Sequence, residues 1–283
     1  MTRKKKRILI FTDLDGTLLD TQNYSFEEAL PALQKVKKGE IPLILCSSKT
    51  RAELELYQKK LKIEEPFISE NGGAVFIPRG YFRQMPAESK IKGKYLVLEL
   101  GTPYLKIRKK FLEVFGELSL KAVGFGDMKA TEISSLLNLS QVEADLAKKR
   151  EYDEPFYLRG KEDKEKIKLV KIKFNQSGLT MTTGGRLFHL TGENDKGKAA
   201  RLLIQIYKTN WGDEILTLGV GDSLNDLSLL ESMHIPVLVR KKDNSYQQEI
   251  LNRLKVYKAP DMGPRGWNRA VLDLIEKYES KGE

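Results

Sequence analysis

With a single cysteine, Cys46, the 283-residue chain cannot close an internal disulfide, and a reducing compartment is the expectation. Long apolar runs are also missing. None approaches the roughly 18 residues needed to cross a bilayer, which predicts a soluble protein with no membrane partner. The basic start, Met1 to Arg7, leads straight into a strand-like run and lacks the apolar stretch and small-residue cleavage site of a secretory leader. A cytoplasmic location is therefore expected. Glutamine is sparse while Lys and Glu abound, which leans towards a heat-adapted source. No internal repeat or low-complexity tract is present.

The charge is not balanced: the formal net value is +10 and the pI is near 9.3. Lysines are nevertheless spread along the chain and interleaved with glutamates, as in KKFLEVFGELSLK and GKEDKEKIK. That pattern predicts a solvated, mixed-charge surface that attracts anionic substrates, with no nucleic-acid partner. The one dense basic patch, TRKKKR, reads as a frayed terminus.

At this length the chain is expected to form two units. Ile8 to Phe11 is a β-branched and aliphatic run that ends in Asp13, Asp15, Gly16 and Thr17, which predicts a strand buried on both faces with acids at its C-terminal end. Ser25 and Glu28 form a capping-box pattern, but Pro31 lies within the helical face that follows, so the helix is either kinked or starts later. Ile41 to Cys46 is a second strand ending in Ser47, Ser48, Lys49 and Thr50. Next come a helix bearing Leu54, Tyr57 and Leu61 and a hairpin, FISENGGAVF. From about residue 85 charge becomes denser. Thr102-Pro103 opens a helix, Ser140 and Glu143 cap another that runs to about Arg150, and GLTMTTGGRLFHL reads as a hairpin. The first rhythm then returns with a helix from Lys198 to Lys208 and strands at Ile215 to Val220, Ile235 to Val239 and Leu254 to Tyr257. A last helix carries Trp267, Val271, Leu274, Ile275 and Tyr278 on one face. The expected fold is α/β: a Rossmann-like, doubly wound, mainly parallel sheet from residues 1–84 and 188–283, split by an inserted α+β cap at residues 85–187.

Four polar clusters fall where the crevice of such a sheet should lie: Asp13-x-Asp15-Gly16-Thr17, Ser47, Lys196, and Gly221-Asp222-x-x-Asn225-Asp226. Together they suit phosphoryl transfer, which needs an in-line nucleophile, a cation against phosphate charge, and fixed donors. Asp13 can attack phosphorus as a carboxylate nucleophile, and Asp15 can protonate the leaving oxygen and later deprotonate water. Asp13 and Asp222 offer hard oxygen ligands for Mg2+. Ser47 can donate a hydrogen bond, and Lys196 can neutralise charge.

In this order the clusters resemble the four motifs of the haloacid-dehalogenase superfamily phosphatases. The resemblance implies an aspartyl-phosphate on Asp13 and Mg2+ held by Asp13, the main chain of Asp15, and Asp222, with Asp226 nearby. One departure is Ser47-Ser48-Lys49, where the sugar-phosphatase branch usually reads Thr-Gly-Arg. An insert between the second and third motifs is where that branch carries its cap. Further strings are similar to its members that act on mannosyl-3-phosphoglycerate: VGFGDM, REYDEPF, GGRLFHL, NDKGKA and GPRGWN. They imply a phosphorylated sugar-glycerate as the small-molecule substrate; glucosyl-3-phosphoglycerate, sucrose phosphate and hexose phosphates are the alternatives. For such a substrate Arg186 can hold the carboxylate, Glu151, Asp153 and Glu154 can accept sugar hydroxyls, and His189 can do either. His234 reads as a surface residue and Cys46 as core. Nothing in the sequence specifies an oligomeric state.

Overall fold

The computed structural model describes residues 6–160, 164–184 and 187–280. The basic residues 1–5, and Gly185 with Arg186, lie outside the described residues. The chain begins with β1 (Arg7–Thr12), α1 (Leu30–Lys38), β2 (Leu43–Leu45) and α2 (Arg51–Leu61). A run of short strands follows: β3 (Phe67–Ser69), β4 (Ala74–Pro78), β5 (Lys90–Lys92) and β6 (Tyr95–Glu99). The middle contributes α3 (Tyr104–Glu117), β7 (Ala122–Gly124), α4 (Ala130–Leu137), α5 (Gln141–Ala147), β8 (Asp153–Leu158), α6 (Lys164–Gln176), β9 (Thr180–Gly184) and β10 (Leu187–Thr191). The rest is α7 (Lys196–Trp211), β11 (Ile215–Gly221), α8 (Leu227–Glu231), β12 (Ile235–Arg240), α9 (Gln248–Arg253), β13 (Tyr257–Met262) and α10 (Gly263–Glu279).

The N- and C-terminal pieces join in one parallel sheet, ordered β13-β12-β11-β1-β2. β1 lies against β11 from Arg7↔Ile215 to Thr12↔Val220 and against β2 from Ile10↔Leu43 to Thr12↔Leu45. Its alternation explains the unbroken apolar run. Ile10 packs into the cluster that includes Trp267, Val271 and Leu274, whereas Leu9 and Phe11 pack against Ala199, Leu203 and Tyr207 of α7. Each side chain so buried stabilises the sheet by ~1.5–3 kcal/mol. Trp267 also donates its Nε1–H to Thr12 Oγ1 at 3.0 Å, and Thr12 donates to the Asp13 carbonyl at 2.7 Å, so the end of β1 is pinned by a buried chain of hydrogen bonds.

Two antiparallel sheets complete the molecule, β3-β4-β6-β5 and β7-β8-β10-β9. The first is tied to the parallel sheet by a bridge between Cys46 and Ile68. The second carries α3 and α6 over the face bearing Phe156 and Leu190, while Phe125, Ile133, Ala144 and Leu187 cluster on the α4 and α5 side. β5 and β6 pair with β4, and residue 187 is the first residue of β10.

Several local expectations shift. Ser25 accepts the Glu27 N–H and Glu28 pairs with Arg265, so no capping box forms; α1 starts at Leu30 with Pro31 in its first turn, where a missing N–H costs nothing. Pro103, not Thr102, is the N-cap of α3. α5 stops at Ala147, short of Arg150. α7 starts at Lys196, earlier than Lys198, because Asp195 caps it by accepting the N–H groups of Gly197 and Lys198. The strand expected from Leu254 begins only at Tyr257, since Gln248–Arg253 forms a helix just before it. Among the described residues no helix is long and apolar enough to cross a membrane.

Candidate active site

β1 delivers Asp13 to the C-terminal edge of the parallel sheet, where its N–H is held by the Val220 carbonyl of β11 at 2.9 Å. β11 ends in Gly221, and the turn beyond it carries Asp222 and Asp226. Asp226 Oδ2 accepts the N–H groups of Asp222 and Ser223, each at 3.1 Å, which folds the turn back on itself. Asp222 Oδ1 accepts the Thr17 hydroxyl at 3.0 Å and so joins the two acidic turns. Gly16 has φ +82°, and a Cβ there would lie 3.0 Å from Asp222 Oδ2. Both the backbone and the space call for glycine.

Lys196, the first residue of α7, has no exposed side-chain surface and places Nζ 2.6 Å from both Asp13 Oδ1 and Asp226 Oδ1. Asp13, Asp222 and Asp226 each bring an oxygen within 4.8 Å of the others. Three carboxylates around one ammonium leave the centre negative. Burial pushes the Asp13 carboxyl well above its ordinary value; Lys196 pulls it back, while Asp226, Asp222 and Asp15 push it further up. Burial, aided by Asp226, pushes Asp222 up to about 7. Burial also opposes the charge on Lys196, but Asp13 and Asp226 outweigh it and hold the ammonium above the ordinary lysine range. A small divalent cation fits this donor set, because hard carboxylate oxygens are gathered on one side and carry uncompensated charge.

Asp15 stands apart from that cluster. Its carboxylate is 38% exposed and lies 2.9 Å from Lys49 Nζ, so Asp15 is partly open to solvent while Asp13 is buried. Ser47 sits one strand over, buried at the end of β2, where the adjacent Cys46 N–H bonds the Thr12 carbonyl and Ser47 Oγ accepts the Lys49 N–H at 3.3 Å. Lys49 is itself buried, with Nζ 5.0 Å from the Tyr24 ring and 5.5 Å from the Tyr57 ring. Its pairing with Asp15 was not foreseen in the sequence. The signal was the cation two residues after Ser47, which stands where the sugar-phosphatase branch has arginine.

The expected substrate-reading residues do not stay together. Asp153, fully buried, is 2.7 Å from His189 Nδ1 and 3.6 Å from Arg150 Nη1. Glu154 follows it on β8 and points to the opposite face, where it accepts the Gly126 N–H at 3.0 Å and lies 3.4 Å from Arg108 of α3. Glu151 is occupied by Arg51 at 2.9 Å and Lys92 at 3.2 Å. Arg186 is outside the described residues. His234 is exposed, as expected, and its Nδ1 lies 2.7 Å from the Thr217 hydroxyl. Cys46 is buried in the cluster containing Leu9 and Phe11.

Residues 10–250 match the family of haloacid dehalogenase-like hydrolases. A relative from Methanococcoides burtonii, named glucosyl-3-phosphoglycerate/mannosyl-3-phosphoglycerate phosphatase, is 46% identical over 269 residues, covering 95% of this chain and 97% of its own. One from Pyrococcus furiosus, named mannosyl-3-phosphoglycerate phosphatase, is 39% identical over 232 residues, or 82% of this chain and 90% of its own. Among solved structures, a Thermoplasma acidophilum protein aligns with a TM-score of 0.66 over 97% of this chain and 99% of its own, at 18% identity. A Bacteroides thetaiotaomicron protein, described among the phosphatases of the haloalkanoate superfamily, aligns with the same TM-score at 17% identity over 98% and 96%. At those identities the structures speak to the fold alone. The family match, over residues 10–250 and so most of the chain, makes this chain a member of the haloacid dehalogenase-like hydrolases.

Proposed function

We propose that the protein is a Mg2+-dependent phosphatase that hydrolyses mannosyl-3-phosphoglycerate to mannosylglycerate and phosphate in the cytoplasm. The observation that carries the chemistry is the bridging of Asp13 and Asp226 by buried Lys196 at the edge of the parallel sheet, beside Asp222. The substrate is supported by the names of the relatives from P. furiosus and M. burtonii. The latter name also favours glucosyl-3-phosphoglycerate as a second substrate, and the two sugars differ only in the orientation of one hydroxyl.

In this reading the Asp13 carboxylate attacks phosphorus opposite the ester oxygen. The phosphorus–oxygen bond to the glycerate breaks, and Asp15, which is partly open to solvent, gives its proton to the departing oxygen. Asp15 then takes a proton from the water that opens the aspartyl-phosphate, releasing phosphate and restoring Asp13. Ser47 and Lys196 hold the phosphoryl oxygens, Lys196 as a point charge already fixed against the nucleophile. Asp13, Asp222 and Asp226, with the main chain of Asp15, would hold Mg2+, which when bound offsets the charge of the phosphate. The sheet assignments favour a cap of residues 102–191 in place of 85–187, because β5 and β6 pair with β4 and all of β10 belongs with β8 and β9. In that cap Asp153 and His189, held to each other at 2.7 Å, are the sugar and glycerate readers, with Arg186 three residues before His189 in sequence; Glu151 and Glu154 are turned instead to Arg51 and Lys92, and to Arg108.

A phosphate-release panel tests this: mannosyl- and glucosyl-3-phosphoglycerate against sucrose phosphate and hexose phosphates, each with Mg2+ and with chelator. The expected result is fastest release from the two glycosyl-3-phosphoglycerates, lost in chelator and restored by Mg2+. Faster release from a hexose phosphate would overturn the substrate. A second prediction concerns Gly221, where a Cβ would lie 2.6 Å from Asp226 Cβ and Cγ. Gly221→Ala is expected to displace Asp226 and lower turnover ~10–100-fold, partly restored by excess Mg2+, since outer contacts of metal-binding groups have effects of that size.

A further inference from the structure

The cap crosses to the core near residues 100–103 and 191–195, yet a third segment, 146–152, is also fixed to the core. Thr50 Oγ1 donates to the Leu146 carbonyl at 3.0 Å, and Arg150 Nη1 donates to the Ser48 carbonyl at 2.8 Å. The Glu70 carboxylate, which has no exposed surface, accepts the N–H of Glu151 at 2.9 Å through one oxygen and that of Tyr152 at 2.8 Å through the other. Asn194 Nδ2 then ties the Glu70 carbonyl at 2.8 Å to the Tyr152 carbonyl at 3.0 Å.

The turn that carries Glu70 reaches the Ser47 loop, the turn between Asp222 and Asp226, and the start of α7. The Glu70 N–H bonds the Lys49 carbonyl at 3.0 Å, and the Asn71 N–H bonds the Ser47 carbonyl at 2.9 Å. Asn71 Oδ1 accepts from Asn225 Nδ2 at 3.4 Å, in the turn between Asp222 and Asp226. A Cβ on Gly72 would stand 2.3 Å from the Asp195 carbonyl oxygen, next to Lys196, and one on Gly73 would stand 2.5 Å from Tyr152 Cβ. Glu70 itself holds φ +47°, a left-handed conformation that a long side chain adopts rarely. The chain keeps glutamate there although glycine or asparagine would fit the backbone more easily. The side chain is what the position requires.

We propose that Glu70 and Arg150 are positioning residues that register segment 146–152, and hence Asp153 and His189 just beyond it, over the loop that holds Ser47. Neither residue touches the phosphate; they set where the cap's reading groups stand relative to it. This rests on the proposed reading in one respect, that the cap recognises the leaving group. A small phenyl phosphate needs only the core, whereas a glycosyl-3-phosphoglycerate needs core and cap in register. Misplacement by about an ångström costs up to ~100-fold when geometry is set across two parts of a site.

The test compares Glu70→Gln and Arg150→Lys with the unaltered enzyme on mannosyl-3-phosphoglycerate and on p-nitrophenyl phosphate, with amide hydrogen exchange measured in parallel. Gln retains one acceptor and replaces the other with NH2, so one of the Glu151 and Tyr152 amides loses its partner. In both variants kcat/KM for the sugar ester is expected to fall at least ~10-fold further than for p-nitrophenyl phosphate. Exchange at Glu151 or Tyr152 should rise in Glu70→Gln while Asp13 stays protected. Glu70→Asp, which keeps both acceptors on a shorter arm, should restore part of the ratio. Equal losses on both esters, or an unchanged ratio with faster exchange, would overturn the proposal, because the segment would then be merely structural. If Glu70→Gln fails to fold, Arg150→Lys decides by the same ratio. Should the unaltered enzyme prefer another ester in the panel, the substrate reading fails, and the ratio is taken with the preferred ester.

Discussion

Asp13→Asn is expected to abolish Mg2+-dependent phosphate release, by ~10,000-fold or more, while leaving the fold intact. The amide has the shape of the carboxylate but cannot form an acyl phosphate. Stability should not suffer, for a reason of sign. Burial raises the Asp13 pKa above its ordinary 3.8, so the folded protein binds that proton more tightly than the unfolded chain does. Its stabilising contribution is complete below about 3.8 and is lost as pH rises through the higher folded value. Without metal, ionising this buried carboxyl therefore costs stability, and the neutral amide removes that cost. The melting temperature in chelator should equal or exceed that of the unaltered protein, whereas the rise on adding Mg2+ should shrink. Acid quenching after mixing with labelled substrate should trap phosphate on the unaltered enzyme and none on the variant. Retained turnover would take the nucleophile's role away from Asp13.

The catalytic edge was legible because it obeys local rules. An apolar run ending in acids marks the end of a buried strand, and this happens at β1 and again at β11; the parallel pairing of those two strands then brings Asp13 and Asp222 together. Lys196 was readable as the brace of the nucleophile Asp13, but not its second contact, with Asp226, which its place at the start of a helix does not announce. Glu70 and Arg150 left no sequence signal. Their partners lie 81 and 102 residues away, and what they hold is backbone, whose N–H and C=O groups are the same in every residue. The separation of Asp153 from Glu154 was available in principle. Had REYDEPF been read as a strand, its alternation would have put neighbouring acids on opposite faces.

Lys196→Met carries the largest expected effect on stability. The ammonium is wholly buried and lies 2.6 Å from two carboxylates, so removing it leaves Asp13, Asp222 and Asp226 within 4.8 Å of one another with no cation among them. Losing one partner of a buried ionic set costs about 3–5 kcal/mol, because the charges left behind remain desolvated. In chelator at pH 7.5 the urea midpoint should drop by that amount divided by an unchanged slope. The deficit should shrink as pH falls. Asp13 is raised and Asp222 is raised to about 7 even with Lys196 present, and carboxyls with raised folded values stabilise the protein as they take up protons between that value and their ordinary one. Mg2+ should raise the melting temperature of the variant more than that of the unaltered protein, since the cation then supplies the neutralisation the lysine gave. Turnover should still fall, by ~1,000-fold, because a cation beside Asp222 does not replace a charge held against the phosphoryl oxygens from the side of α7. A variant as stable as the unaltered protein in chelator at pH 7.5 would mean that protons taken up by Asp13 and Asp222 replace the lysine's charge, and that Lys196 is there for the phosphate alone.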